Sequence, residues 1–174
     1  MLRERRLVLV RHAKSAYPHG VPDHDRPLTG RGRRNAQATG RWFATEGPRV
    51  HLVLCSDATR ARHTWEIIRA ELVAARMDAP VLFDHGLYGA GPDRVLDLLR
   101  ALDHDPAAVM VVGHEPTMSD LTLTLAGPGS DEEALGAVGI KFPTSGVAVL
   151  RFGEPWGVLR PRTARLETFV HPRA

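Results

Sequence analysis

LVLVRHAKS, residues 7–15, changes character in mid-run. Four apolar residues suited to a buried strand pass without a break into arginine, histidine, alanine, lysine and serine. A short apolar run with no polar alternation reads as a strand covered on both faces, the kind that parallel sheets are made of. Comparable runs recur at 52–55, 81–83 and 109–112, and stretches of helical periodicity lie between them. This alternation predicts βαβ units, hence an α/β fold with a mostly parallel sheet between two layers of helices.

The helical stretches carry their own punctuation. Thr29 is placed to cap a helix running through Trp42 and Phe43, and Ser56 or Asp57 to start one whose apolar stripe is Trp65, Ile68 and Leu72. Pro92 and Pro116 suit first helical turns, the one leading into Val95, Leu96, Leu99 and Leu102, the other into Met118, Leu121 and Leu125. Beyond Gly127 the sequence reads as a glycine-rich loop over 127–139. Two strands at 146–152 and 165–170 then complete the sheet, at least one of them antiparallel. No repeat, low-complexity tract or long linker interrupts the chain, so 1–174 is expected to be one domain.

Composition narrows the function classes. A charged fraction of 25% with 43% hydrophobic residues is that of an ordinary globular protein. The apolar runs fall far short of the ~20 residues that cross a bilayer, and residues 1–6 have no apolar signal core behind them. A cytoplasmic protein without a membrane partner is expected. The single cysteine, Cys55, ends an apolar run and reads as a buried, inert thiol. The net charge is only +3, and the arginines are scattered with few aromatic neighbours, which favours an anionic substrate over nucleic acid.

In open parallel sheets ligands bind beyond the carboxyl ends of the strands, where loops diverge and helix N-termini point inward. The first strand delivers Arg11 and His12 there, the second Ser56 with Arg60 one turn on, and the fourth His114. If these strands are neighbours, two arginines and two histidines meet in one crevice. Guanidinium groups suit a phosphoryl group, because paired, charge-assisted hydrogen bonds strengthen as negative charge accumulates during transfer. An imidazole can attack phosphorus and carry the group as an N-phosphoryl intermediate, provided it is neutral. Arg11 and Arg60 would oppose protonation of His12. No metal is required, and the lack of paired Cys/His spacing argues against a zinc site. His19, His24, His51, His63, His104 and His171 read as surface or structural histidines.

Val10-Arg11-His12-Ala13, then Ser56 with Arg60, Ala61 and Thr64, then Gly113-His114-Glu115-Pro116, resemble the three signature blocks of the histidine phosphatase superfamily, the phosphoglycerate-mutase-like group. RHAKS followed by DRPLTGRGRRNA, with short length and no inserted cap, is similar to the SixA-type phosphohistidine phosphatases. The resemblance spans Leu7 to about Phe152. It implies a three-layer phosphoglycerate-mutase-like sandwich without a cap domain. It also implies a metal-independent phosphatase that needs no cofactor and works through phospho-His12. Arg11, Arg60 and His114 would bind the phosphoryl group, with Ser15 near the pocket. The implied substrate is a phosphorylated small molecule or a phosphohistidine protein.

The chain also departs from the pattern. Lys14 stands where many members carry Glu, and Asp57-Ala58 replaces Pro-Leu or Pro-Tyr. The proton-donating glutamate of mutase-like members, which precedes a His-Tyr-Gly triplet, corresponds to His85 in the stretch 84–89. Strand alternation would turn Asp84 to the opposite face, which leaves His85 as the expected acid, with Asp84 and His114 as alternatives. A phosphoramidate tolerates a weak acid better than an alkyl phosphate does. Two rival functions fit the same residues: a phosphoglycerate-mutase-like phosphotransferase, and a phosphate-binding module without catalysis.

Overall fold

The computed structural model describes residues 3–89 and 91–174; Met1 and Leu2, part of the segment read for a leader, and Ala90 lie outside it. Six strands form one sheet in the order β3-β2-β4-β1-β5-β6. These are β1 (Arg5–Arg11), β2 (Leu52–Ser56), β3 (Val81–Asp84), β4 (Ala108–Gly113), β5 (Val147–Phe152) and β6 (Arg165–Val170). The β1–β4, β4–β2 and β2–β3 pairs are parallel; β5 pairs antiparallel with both β1 and β6. Among the described residues the fold is the expected α/β three-layer sandwich, a mostly parallel sheet between two layers of helices with no inserted cap.

Topology decides which helix covers which face. From β1 the chain moves outward through β2 to β3, then returns across the sheet to β4. Right-handed crossovers running in opposite directions place their helices on opposite faces. Accordingly, α1 (Gly30–Thr45) and α2 (Thr59–Ala74) bury Phe43, Trp65, Ile68 and Leu72 against Val8, Val10, Val53, Met110 and Val112. On the other face α3 (Pro92–Arg100), α4 (Thr117–Leu125) and α5 (Glu132–Ile140) bury Val95, Leu99, Met118, Leu121 and Val138 against Leu7, Leu9, Leu54, Val109 and Val111. Alternate residues of each central strand serve alternate cores, which is why the strands read as unbroken apolar runs. Among the described residues no helix is long and apolar enough to cross a membrane.

Several local expectations need correction. The stretch 127–139 is not all loop: Asp131 accepts a hydrogen bond from the Ala134 N–H at 2.7 Å and caps α5. Gly136 and Gly139 disguised this helix, since glycine weakens helical periodicity without forbidding it. Neither Ser56 nor Asp57 caps α2, which begins after Ala58 without a side-chain cap. Pro116 immediately precedes α4 instead of occupying its first turn. Strand β3 is an edge, with Leu82 56% exposed, and gains little from the core.

The loop after β1 is fixed by the start of α1. Thr29 caps that helix through the Gly32 N–H at 2.9 Å, while its own N–H donates to the Lys14 carbonyl at 2.9 Å. A Cβ at Gly32 would overlap this same carbonyl. Gly32→Ala is therefore expected to destabilise the fold by about 1–3 kcal/mol, the range for forced overpacking, as measured by denaturant unfolding.

Candidate active site

Arg11 ends β1 beside Gly113 at the end of β4, and the His12 N–H donates to the Gly113 carbonyl at 3.0 Å. His114 follows on from β4, so adjacent parallel strands present the two imidazoles side by side. Their ring centroids are 5.0 Å apart. Arg11, His12, Ser15, Arg60 and His114 line one cavity of about 210 Å³, together with Lys14, Tyr17, Arg26, Glu115 and Thr144. A larger hollow of about 410 Å³ lies at the opposite end of the parallel strands, lined by Glu4, Arg6, Trp42 and His51 among others. Volume does not mark the site here; the convergence of strand ends does.

The His12 ring is held in one tautomer. Its Nδ1 lies 2.8 Å from the Ala13 carbonyl, so Nδ1–H donates there and the lone pair is left on Nε2. Arg60 Nε–H points at that lone pair from 3.3 Å. Thr64 fixes the backbone beneath: its hydroxyl accepts from the Ala13 N–H at 2.9 Å and donates to the Arg60 carbonyl at 2.7 Å. Burial is the main cause that depresses the His12 pKa to about 3, with the charges of Arg60 and Arg11 as smaller contributors. The two arginines act in the direction expected from the sequence, and burial adds the larger share. His114, hydrogen-bonded through Nε2 to Ser56 Oγ at 2.8 Å, is likewise lowered by burial and then by Arg60, to about 4.

The arginines are anchored differently. Arg11 donates from one terminal nitrogen to the Phe142 carbonyl at 2.7 Å, while its buried Nε has no protein partner among the described residues. Arg60 is buried and meets Asp23 twice, at the carbonyl (2.7 Å) and at Oδ2 (3.2 Å). Asp23 also pairs with Arg26 at 3.0 Å and accepts the Tyr88 hydroxyl at 2.5 Å. Tyr88, whose ring lies 5.7 Å from that of His114, thus completes the wall behind Arg60. Sequence reasoning gave no role to Asp23, Tyr88 or Thr64. Thr64 was visible as part of a motif block and Tyr88 as part of the stretch 84–89; Asp23 gave no local signal.

Of the expected acids, His85 and Asp84 do not line the cavity, whereas the alternative, His114, does. The His85 side chain is 74% exposed and turns to Asp57, with Nδ1 2.9 Å from Oδ2. Asp84 accepts from the Gly86 N–H at 2.6 Å and caps the short 3-10 turn His85–Leu87. Because β3 ends at Asp84, the alternation that separated these two residues does not continue past it. Glu115 does reach the cavity, but its carboxylate accepts from the N–H and hydroxyl of Ser119 at 2.9 and 2.7 Å. Cys55 is fully buried and its thiol is pushed upward, mainly by that burial.

Residues 7–87 match the family model described as the histidine phosphatase superfamily (branch 1). A solved structure of a candidate phosphohistidine phosphatase SixA from Nakamurella multipartitia is 36% identical, covers 98% of both chains and superposes with a TM-score of 0.82. The chain belongs to the histidine phosphatase superfamily. A second candidate SixA structure, from Agrobacterium tumefaciens, is 30% identical with a TM-score of 0.77, over 97% of this chain and 99% of the other. Protein Rv1276c of Mycobacterium tuberculosis is 44% identical over 165 residues, covering 94% of this chain and all of that one.

For this member of the superfamily the two depressed histidines set a pH window. Acid loss of kcat/KM is expected near pH 4, not near the 6.5 of an ordinary imidazole, in a pH–rate profile. Stability follows with a definite sign. Between the folded values and 6.5 the unfolded chain binds more protons, so the stabilisation is complete above 6.5 and is lost as pH falls toward 4. Equilibrium unfolding across that range measures it.

Proposed function

We propose that this histidine phosphatase is a phosphohydrolase that works through His12 and acts best on phosphoramidates, protein phosphohistidine foremost. The observation that carries the reading is the His12 ring, buried, neutral and tied at Nδ1, with its Nε2 lone pair beside Arg60 in a cavity lined by Arg11 and His114. In the first step that lone pair bonds to phosphorus, and the bond from phosphorus to the leaving nitrogen breaks as the nitrogen takes a proton. In the second, water attacks phosphorus, the P–Nε2 bond breaks, the electron pair returns to His12 and a proton is released. Arg11, Arg60 and His114 stabilise the charge on the phosphoryl oxygens in both steps.

The substrate preference rests on two features. His85 and Asp84 stand outside the cavity, and Glu115 is engaged with Ser119, so a leaving group that can draw its proton from water is favoured over an alkoxide. The cavity, about 210 Å³, holds little beyond a phosphoryl group and what adjoins it, which suits a substrate whose bulk stays outside. Tyr17 on the rim is 76% exposed, so water has access, and hydrolysis is favoured over a mutase's retention of the group. A panel of phosphohistidine protein, phosphoserine peptide and sugar phosphate tests this. We expect kcat/KM for phosphohistidine to lead by about 10² or more, since general-acid help the others need is worth that much. Faster turnover of a sugar phosphate would overturn the preference. Within the same assay, His85→Ala should change alkyl and aryl phosphate rates equally; a selective loss on the alkyl substrate would restore His85 as the acid.

A further inference from the structure

Asp57 stands between two imidazoles. Its Oδ1 lies 2.8 Å from His24 Nε2 and its Oδ2 2.9 Å from His85 Nδ1. One ligand-type atom from each of the three residues falls within 4.8 Å of the other two. The residues are 33 and 28 positions apart in the chain, which is why no ligand spacing was visible in the sequence. Two of them are brought together by the sheet: Ser56 pairs with Asp84, so the next residue on each strand, Asp57 and His85, emerges alongside the other. The third arrives on the short 3-10 turn Asp23–Asp25, which the Asp23–Arg60 contacts hold against the site.

A solvated ion pair would need one histidine and one carboxylate. Here two imidazoles converge on a single carboxylate, whose hydrogen-bond partners among the described residues include no lysine or arginine. The outer nitrogen of His24 is backed in turn by Asp25, with Nδ1 3.3 Å from Oδ1. A carboxylate behind a histidine is the arrangement that orients metal ligands and raises their basicity. The group is also reachable from solvent, the side chains of His24, Asp57 and His85 being 31, 27 and 74% exposed.

We propose that His24, Asp57 and His85 form a binding site for a first-row divalent transition ion, zinc above all, at the mouth of the phosphate cavity. Two imidazoles and one carboxylate select this class over magnesium or calcium, which favour all-oxygen shells. Ligands about 2.1 Å from one tetrahedral ion sit roughly 3.4 Å apart, so the present hydrogen-bonded contacts need to open by only about half an ångström. Three protein ligands leave a fourth position for water or an anion. The Tyr88 ring touches both histidines, with centroids 4.9 and 6.0 Å away, and its hydroxyl holds Asp23. An ion here therefore pins the turn that supports Arg60. The site is independent of the phosphatase reading, because it uses none of the residues lining the cavity.

Titration of the full chain with zinc chloride in phosphate-free buffer, followed by calorimetry, tests it. One ion per chain is expected, with a dissociation constant tighter than about 10 μM. His24→Ala, His85→Ala and the isosteric Asp57→Asn should each weaken binding at least tenfold, since even outer-shell losses typically cost about 10- to 100-fold. Circular dichroism checks that each variant is folded. His12 and His114 also bring two imidazoles together, with ring centroids 5.0 Å apart, so His12→Ala and His114→Ala serve as controls and should leave this binding intact. Cobalt(II) in place of zinc should give visible absorption that Asp57→Asn removes. Absence of binding by the unaltered protein, binding that survives both His24→Ala and His85→Ala, or binding lost in His12→Ala would each overturn the proposal.

Discussion

His12→Ala is expected to lower turnover by about 10³-fold or more and to eliminate the acid-labile phosphoenzyme at the same time. Both losses have one cause. The Nε2 lone pair of His12 is fixed by the Nδ1 contact to the Ala13 carbonyl and by the anchoring of its backbone to Gly113. His114 differs: its Nε2 meets the Ser56 hydroxyl, which can donate or accept and so does not fix the tautomer, and its buried Nδ1 has no hydrogen-bond partner among the described residues. Arg11, Arg60 and His114 remain after the substitution, so substrate affinity should fall far less than turnover. Rapid acid-free quench with labelled substrate reads the phosphoenzyme, and steady-state kinetics read kcat and KM. A variant retaining a tenth or more of normal turnover would remove His12 from the covalent role. The rival function, a binding module without catalysis, predicts no turnover in the unaltered protein and therefore nothing for the substitution to remove.

Arg60→Ala is the second large effect, with an expected loss of about 10²–10³ in kcat, the range for removing one preorganised donor from a transition state. This side chain does three things at once. It donates to His12 Nε2 at 3.3 Å, it holds the Asp23 turn through the carbonyl and carboxylate, and it places positive charge in the cavity. Arg60→Lys should recover little, because an ammonium on a flexible stem cannot reproduce contacts made from separate corners of a planar fork. Arg60→Ala also leaves Asp23 with Arg26 alone as its basic partner among the described residues. Since Arg60 lowers the pKa of both His12 and His114, removing it should move the acid limb of the rate profile upward. A merely structural loss would reduce activity at every pH without moving that limb. Kinetics across pH for the alanine and lysine variants separate the two cases.

The sequence by itself determined the layers and the end of the sheet at which chemistry can occur. Unbroken apolar runs report strands buried on both faces, and their alternation with helical periodicity implies the parallel order. Arg11, His12 and His114 were legible because each lies within two residues of the end of such a run, and Arg60 because it lies one turn into the next helix. They reach one cavity since β2, β4 and β1 are neighbours in the sheet. That adjacency was an assumption until the pairing Arg11↔Gly113 and its continuation into β2 were observed.

Only the tertiary structure decided what surrounds those residues. A one-chain pattern carries information over a few residues, the reach of a helical turn or a strand pleat. Asp23 meets Arg60 across 37 positions and Tyr88 across 65, and nothing local announces either contact. The degree of burial that keeps His12 neutral is likewise a sum over packed elements, and it outweighs the flanking charges that the sequence displays. His85 shows the same limit from the other side. Strand alternation was extended past Asp84, but a hydrogen bond from the Gly86 N–H to the Asp84 carboxylate ends the strand there, and the ring swings to Asp57. Local periodicity fixed where the strands lie; contacts between distant segments fixed where side chains point once the strands end.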